Sequence, residues 1–295
     1  MRKKRLAASL LALSLCFSLA ACSGGSDETT APESTAPAET TPAETTPAET
    51  AAAESDLAYV QDKGTLVVGI TNFAPMDYKA EGSDEWIGFD ADMAKAFAES
   101  LGVAVEFQEI TWDYKVMELD SKNIDVVWNG MTLNDEVMAA MSTSVPYCTN
   151  YQTLVYPADK AADFEGLTSL EGLNIAVESG SAGEDAAEAL GATTVPVQSQ
   201  ANTLMEVAAG TSDAAVIDVL MAADMTGEGT SYADLVYSVN LNEAQGLESE
   251  EYGVGFRKGS DLVDVFNEFW AAAVADGTVE ATAATYGLQD AIILE

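Results

Sequence analysis

Short unbroken apolar runs alternate with helical patterns along most of this chain, and that alternation limits the fold more than any other feature of the sequence. Thr65 to Ile70 reads as a strand, Phe89 to Leu101 as a helix, Val103 to Gln108 as a strand, Trp112 to Leu119 as a helix, and Ile124 to Trp128 as a strand. After Pro146 the extended run Tyr151 to Tyr156 leads into a second unit: strand Asn174 to Val177, helix Ala182 to Leu190, strand Thr194 to Val197, helix Ala201 to Ala209, strand Ala214 to Ile217. A last strand, Tyr252 to Phe256, precedes helices Leu262 to Asp276 and Thr278 to Tyr286. Strands that are continuously apolar belong to parallel sheets covered on both faces. From Leu57 to Glu295 the chain is long enough for two modest α/β domains or one large one.

What precedes this region is of another kind. Arg2, Lys3, Lys4 and Arg5 stand before an apolar run, Leu6 to Leu19, too short to span a bilayer comfortably, and small residues follow it. Residues 1–21 therefore read as a signal peptide. Ser23 to Asp56 is nearly all Ser, Thr, Ala, Pro, Glu and Gly, with TPAET at Thr41 to Thr45 and again at Thr46 to Thr50. Such a segment has nothing with which to build a core and reads as a disordered, self-repelling stalk.

The charge and the rare residues exclude several functions. The full chain carries 12 Lys plus Arg against 49 Asp plus Glu, a formal charge of −37, and four of those cations lie in the signal peptide. Such a surface repels nucleic acid and anionic lipid. There is no histidine, which removes the commonest general base and the commonest transition-metal ligand together. No metal site, cofactor or catalytic residue is expected. Cys16 leaves with the signal peptide, so only Cys148 remains in the globular part; a half-buried packing role is expected for it.

Two turns and one strand end hold the candidate site. WNGMTLNDEV, Trp128 to Val137, reads as the end of a strand, a loop and a helix N-terminus, whose unpaired N–H groups suit an anionic group. Ser181 and Gly183 follow a turn glycine and open a helix in the same way. Asp218 ends an apolar strand, where an unpaired carboxylate is costly; it either pairs with a cation or caps the helix that follows.

In sequence order these pieces resemble the bacterial extracellular solute-binding proteins for polar amino acids, glutamine-binding and lysine/arginine/ornithine-binding proteins among them. The resemblance runs from about Gly64 to about Leu288. It rests on GITNFAPMDY at Gly69 to Tyr78, IGFDADMAKAFAESLG at Ile87 to Gly102, NGMT at Asn129 to Thr132, VESGSAG at Val177 to Gly183, DAAVID at Asp213 to Asp218, and EYGVGFRKGSD at Glu251 to Asp261. It implies an α/β, two-lobed, type II periplasmic-binding-protein-like fold with two hinge crossings, near Tyr147 to Tyr151 and Leu247 to Glu251. Lobe one would comprise residues 57–149 and 249–295 and lobe two residues 150–248. The residues before Cys22 resemble a lipobox, which implies lipidation of Cys22, a linker over residues 22–56, and a monomer tethered to the outer face of the cell membrane.

The same resemblance carries site roles residue by residue. Phe73 and Trp112 match aromatic walls of the ligand cleft, with lobe core as the alternative for both; Trp128 is either a third wall or core. Gly130 and Thr132 match the carbonyl and hydroxyl that meet the ligand ammonium and carboxylate. Ser181 matches the small hydroxyl residue at the lobe-two helix start, and Asp218 the carboxylate that pairs with the α-ammonium. Glu178, Asp77 and Glu136 read as solvated rim carboxylates. The family's carboxylate-clamping arginine is absent, because Val137 stands at its position. Lys115 is the nearest substitute, or it faces solvent.

The function so implied is the substrate-binding protein of an ABC importer, capturing a polar amino acid between closing lobes and handing it to a permease with its ATPase, without chemistry of its own. The alternatives are a binder of a cationic amine or peptide-like solute without a free carboxylate, a dehydratase-like enzyme on the same fold with Glu178 and Asp77 as paired carboxylates, and a solute sensor.

Overall fold

The structure, a computed structural model, describes residues 55–294. The readings of a signal peptide, of lipidation at Cys22 and of a stalk lie outside the described residues. Helix α1, Asp56–Lys63, begins the fold because Ser55 caps it, its hydroxyl accepting from the Ala58 N–H, and Gly64 ends it in the left-handed region. Asp56, placed above in the linker, is thus the first residue of a helix. Its buried carboxylate receives Arg257 Nε at 2.9 and 3.0 Å, and Arg257 Nη1 donates to the Ile124 carbonyl at 2.8 Å.

The first half continues with β1 (Thr65–Ile70), β2 (Tyr78–Lys79), β3 (Trp86–Ile87), α2 (Phe89–Leu101), β4 (Ala104–Glu109), α3 (Lys115–Asp120), β5 (Val126–Thr132), α4 (Asp135–Ala140), β6 (Ser142–Thr143) and β7 (Cys148–Asn150). The second half holds β8 (Gln152–Pro157), α5 (Ala161–Phe164), β9 (Asn174–Glu178), α6 (Ala182–Ala189), β10 (Thr193–Val197), α7 (Gln200–Ala209), β11 (Ala214–Asp218), α8 (Val219–Met225), β12 (Leu235–Asn240) and α9 (Leu241–Ala244). The chain then returns through β13 (Glu250–Phe256) to α10 (Leu262–Ala275) and α11 (Thr278–Tyr286).

Two sheets result. The first runs β4-β1-β5-β13-β6 with β7 also on β13, and the second β10-β9-β11-β8-β12. The βαβ cores are parallel as expected, but the strands that enter and leave are not: β8 is antiparallel to β11, and β13 to β5. The sheets are therefore mixed. The two crossings between them are paired with each other, since β7 and the start of β13 form an antiparallel ladder with Asn150 opposite Glu250 and Cys148 opposite Tyr252.

One strand is longer than its sequence suggests. The Asn129 to Thr132 stretch, read above as a loop, continues β5, because Met131 and Thr132 pair with Gly253 and Tyr252. The ladder shifts register next to Gly130, whose φ of 56° only glycine adopts without strain. The bulge is fixed from below. Its Gly130 N–H donates to Asp90 Oδ2 at 2.7 Å, the Tyr147 hydroxyl donates to the same oxygen at 2.8 Å, and the Phe73 ring fills the space where a Cβ on Gly130 would sit. Around them Phe97, Trp128, Tyr147, Phe266 and Trp270 form one aromatic core.

This support contains buried acids. Burial pushes the Asp90 carboxyl up from 3.8 to about 7, and burial followed by the Asp90 charge raises Asp77. A carboxyl whose folded value lies above its unfolded one takes up a proton on folding between the two, so its contribution is largest at low pH and is lost as pH rises through about 7. Urea unfolding should accordingly give a higher midpoint near pH 5 than near pH 8, and Asp90→Asn should flatten the difference. A wild-type midpoint that rises with pH over that interval would contradict this account.

Candidate functional site

The carboxyl ends of β5, β9 and β11 converge from the two sheets, which is where open α/β sheets present their ligands. Between them lies a cavity lined by Trp112, Gly130, Thr132, Ser181 and Asp218, five of the six residues expected. Its volume is about 20 Å³, room for about one water molecule. The loops of the two sheets already touch beside it: a Cβ on Gly180 would come within 2.7 Å of the Asp113 Cα. A larger solute therefore enters only if the sheet ends part.

Asp218 is 4% exposed and ends β11, yet its carboxylate caps nothing in α8, so the helix-capping alternative falls away. Its oxygens are held by neutral amides. Gln152 Nε2 donates to Oδ1 at 2.9 Å, Asn150 Nδ2 donates to the same oxygen, and Gln200 Nε2 donates to Oδ2 while its Oε1 accepts the Asp218 N–H at 3.1 Å. Glu250 shares these donors, accepting from Gln152 at 2.9 Å, Asn150 at 3.2 Å and Asn242 at 3.0 Å. Burial first and the Glu250 charge second push Asp218 up to about 7. Thr132 joins the same group, its hydroxyl donating to Glu250 at 3.0 Å.

A second carboxylate faces the cavity. Glu178, expected at a solvated rim, is 2% exposed at the end of β9, and its Oε1 has no partner among the described residues. Burial, then the Asp218 charge, raises it to about 8, against the Thr71 hydroxyl and Lys115. Asp77 is also buried, but it lies in the core and not along the cavity, so the paired site of Glu178 and Asp77 does not form. Glu136 is exposed, as read.

Lys115 is half-buried rather than fully in solvent. It lines the cavity beside Val137, its Nζ donating to the Gly180 carbonyl at 3.0 Å and lying 4.9 Å from the Trp112 ring centroid. Burial lowers its pKa, opposed by the charges of Glu136, Glu178, Asp113 and Asp185. Ser181 caps α6, its oxygen accepting the Glu184 N–H at 3.1 Å, which leaves its own proton free to donate.

Phe73 is the residue that does not line the cavity. At 1% exposure it sits under Gly130 with its ring edge-on to Tyr252, and so shapes the wall from behind. Trp112 serves as wall and core together, packing with Ile110 and Val137; Trp128 is core. Cys148 is fully buried, with its thiol raised by burial, not half-buried as expected. Sequence reasoning missed Asn150, Gln152, Gln200 and Glu250. The only hint was position, since three of them fall at the crossings or just beyond and the fourth follows the Ser199 cap of α7.

Comparison with known proteins agrees with this fold. Bacterial extracellular solute-binding proteins, family 3, match this chain over residues 66–289. The arginine-binding extracellular protein ArtP of Bacillus subtilis (strain 168) is 29% identical over 230 residues, covering 74% of this chain and 84% of ArtP. The L-cystine-binding protein TcyJ of Escherichia coli (strain K12) is 28% identical over 227 residues, 75% of this chain and 82% of TcyJ. Among solved structures, an ancestral amino acid-binding protein described as a precursor of cyclohexadienyl dehydratase superimposes with a TM-score of 0.69 at 30% identity, covering 79% of this chain and 99% of its own.

The contact at Gly180 can be tested without a ligand. Gly180 has a φ of 74° and Gly191 one of 83°, but only a Cβ at Gly180 meets the opposite loop closely. Each change to alanine should cost about 1–2 kcal/mol of stability through the left-handed backbone. Small-angle scattering should show a larger radius of gyration for Gly180→Ala alone; equal radii for the two variants would contradict closure at this contact.

Proposed function

The chain belongs to the bacterial extracellular solute-binding proteins, family 3, and from that membership we propose that it is the extracytoplasmic, lipid-anchored receptor of an ABC importer whose solute is a polar α-amino acid. One observation carries the ligand assignment: Asp218 is a buried carboxylate surrounded by neutral donors, the amides of Asn150, Gln152 and Gln200 and the Tyr252 hydroxyl, with no cation paired to it among the described residues, next to Glu178, which has an oxygen to spare. A buried carboxylate with no cation is costly, and an ammonium brought from outside removes the cost. The α-ammonium takes its place at Asp218 with the Gly130 carbonyl near it, displacing amide donors. The carboxylate turns towards Thr132, Ser181 and the first N–H groups of α6.

Capture follows from the two crossings. Parting the sheets at the β7–β13 ladder opens the cavity, and a solute that touches Asp218 from one side and Thr132 from the other favours the shut form through contacts that only this form provides. The shut form is the one offered to the permease. The proposed division is lobe one at 57–149 and 249–295, lobe two at 150–248, with Phe73 supporting the cleft from beneath and Trp112 forming its wall. Among the described residues no helix is long and apolar enough to cross a membrane, so attachment in this reading is through Cys22.

The one Glu178 oxygen without a partner among the described residues, Oε1, favours a second positive group on the solute, and an arginine-binding relative fits that preference. The same carboxyl, at about 8, is the group that an enzyme on this fold would use as an acid, so turnover of cyclohexadienyl substrates is the control. The deciding measurement is calorimetry with an amino-acid panel. Asp218→Ala should weaken the binding of the preferred amino acid by at least about 2 kcal/mol, because its ammonium would be buried unpaired. Wild-type affinity in a folded Asp218→Ala protein would overturn the assignment.

A further inference from the structure

The cavity has one positively charged wall residue, and its position gives it a role. Lys115 stands at the start of α3 on the first sheet's side, yet its ammonium reaches the Gly180 carbonyl in the turn before α6, on the second sheet's side. No other Lys or Arg lines the cavity. An ammonium taken this far from water normally pairs with a carboxylate. Among the described residues, however, no carboxylate lies within ion-pairing distance of Lys115; it is held by the carbonyls of Gly180 and Trp112, at 3.0 and 3.4 Å, and by the Trp112 ring. It is therefore a partly desolvated cation with capacity for one more acceptor.

The neighbours of Lys115 along the cavity are donors as well. The Ser181 hydroxyl has a proton to give, and the N–H group of Ala182 donates to nothing among the described residues. The acceptors Asp218 and Glu178 line the same cavity. A solute with a positive and a negative group on one carbon meets both sets at once, whereas a plain amine meets only the acceptors and leaves the half-buried Lys115 ammonium without a carboxylate.

Resting on the amino-acid reading above, we propose that Lys115 is the residue that receives the solute's carboxylate, selecting amino acids over the amines derived from them. Val137 lines the same cavity and is buried, so an arginine placed there offers a second cation to the same space.

The test uses three matched pairs, arginine and agmatine, lysine and cadaverine, histidine and histamine, titrated by calorimetry into wild type, Lys115→Met, and Lys115→Met combined with Val137→Arg. For a pair that binds, wild type should prefer the amino acid by roughly tenfold or more, the range of a charge-assisted bond. Lys115→Met should erase the preference by weakening the amino acid while leaving the amine within about threefold, less than the 1.4 kcal/mol of a tenfold change. The arginine added at 137 should restore it. Equal weakening of both members by Lys115→Met would mean that the lysine only latches the cleft, and the proposal would fail. An amine bound more tightly than its amino acid by wild type would overturn it as well. If no member of any pair bound wild type, the amino-acid reading itself would fall and take the proposal with it, an outcome distinct from both others.

Discussion

The sharing of neutral amide donors between two acids holds this structure's function together. Asn150 and Gln152 each donate to Asp218 at the end of one strand and to Glu250 at the start of another. Asn150 and Glu250 face each other across the ladder that joins the two sheets, so the place where the chain crosses and the place where a solute would bind belong to one hydrogen-bonded group. Buried networks of this kind polarise their members, and removing or adding one charge is felt by all. A cation arriving at Asp218 competes for donors that also steady Glu250, which gives the crossing strands a physical reason to respond.

Beneath the cavity a second network does purely structural work. The bulge at Gly130 turns the end of β5 so that Gly130 and Thr132 both line the cavity, and Asp90, Tyr147 and Phe73 hold the bulge from below. Keeping Asp90 and Asp77 in this core costs stability at neutral pH. The cost is tolerated because a glycine at positive φ inside a strand would otherwise have an unpaired N–H at the most critical point of the site.

The charge pattern inside the cleft differs from that of the surface around it. The chain is strongly acidic, and the cavity itself holds Asp218 and Glu178, but Lys115 and the start of α6 make one end of it a donor surface. Polarity along a short cavity is what distinguishes a zwitterion from a simple cation of similar size. Lys115 achieves this at some expense, because burial works against its charge and only the surrounding carboxylates sustain it.

Much of the fold was legible in the residues. The periods of the strands and helices, the glycines that end α1, α2, α7 and α11, and the return of the chain after Tyr252 are local matters, and local sterics and periodicity settle them; β1, α2 and α11 begin and end where the sequence reading puts them. The gathering of Gly130, Thr132, Ser181 and Asp218 followed from the family resemblance, and their places at strand ends or the turns that follow are consistent with it. Strand direction at β8 and β13 was not legible, because a short apolar run carries no mark of which way its neighbour points. Nor was the fate of the polar side chains. Phe73 lies behind Gly130 and not in the cavity, Glu178 and Asp77 are buried, Lys115 faces inward, and three amides and Glu250 surround Asp218, all because residues tens to a hundred positions apart close over them. The sequence alone determines which segments become strands and helices, since that depends on neighbours a few residues away; only the tertiary structure decides which charges lose their water, since that depends on what packs above them.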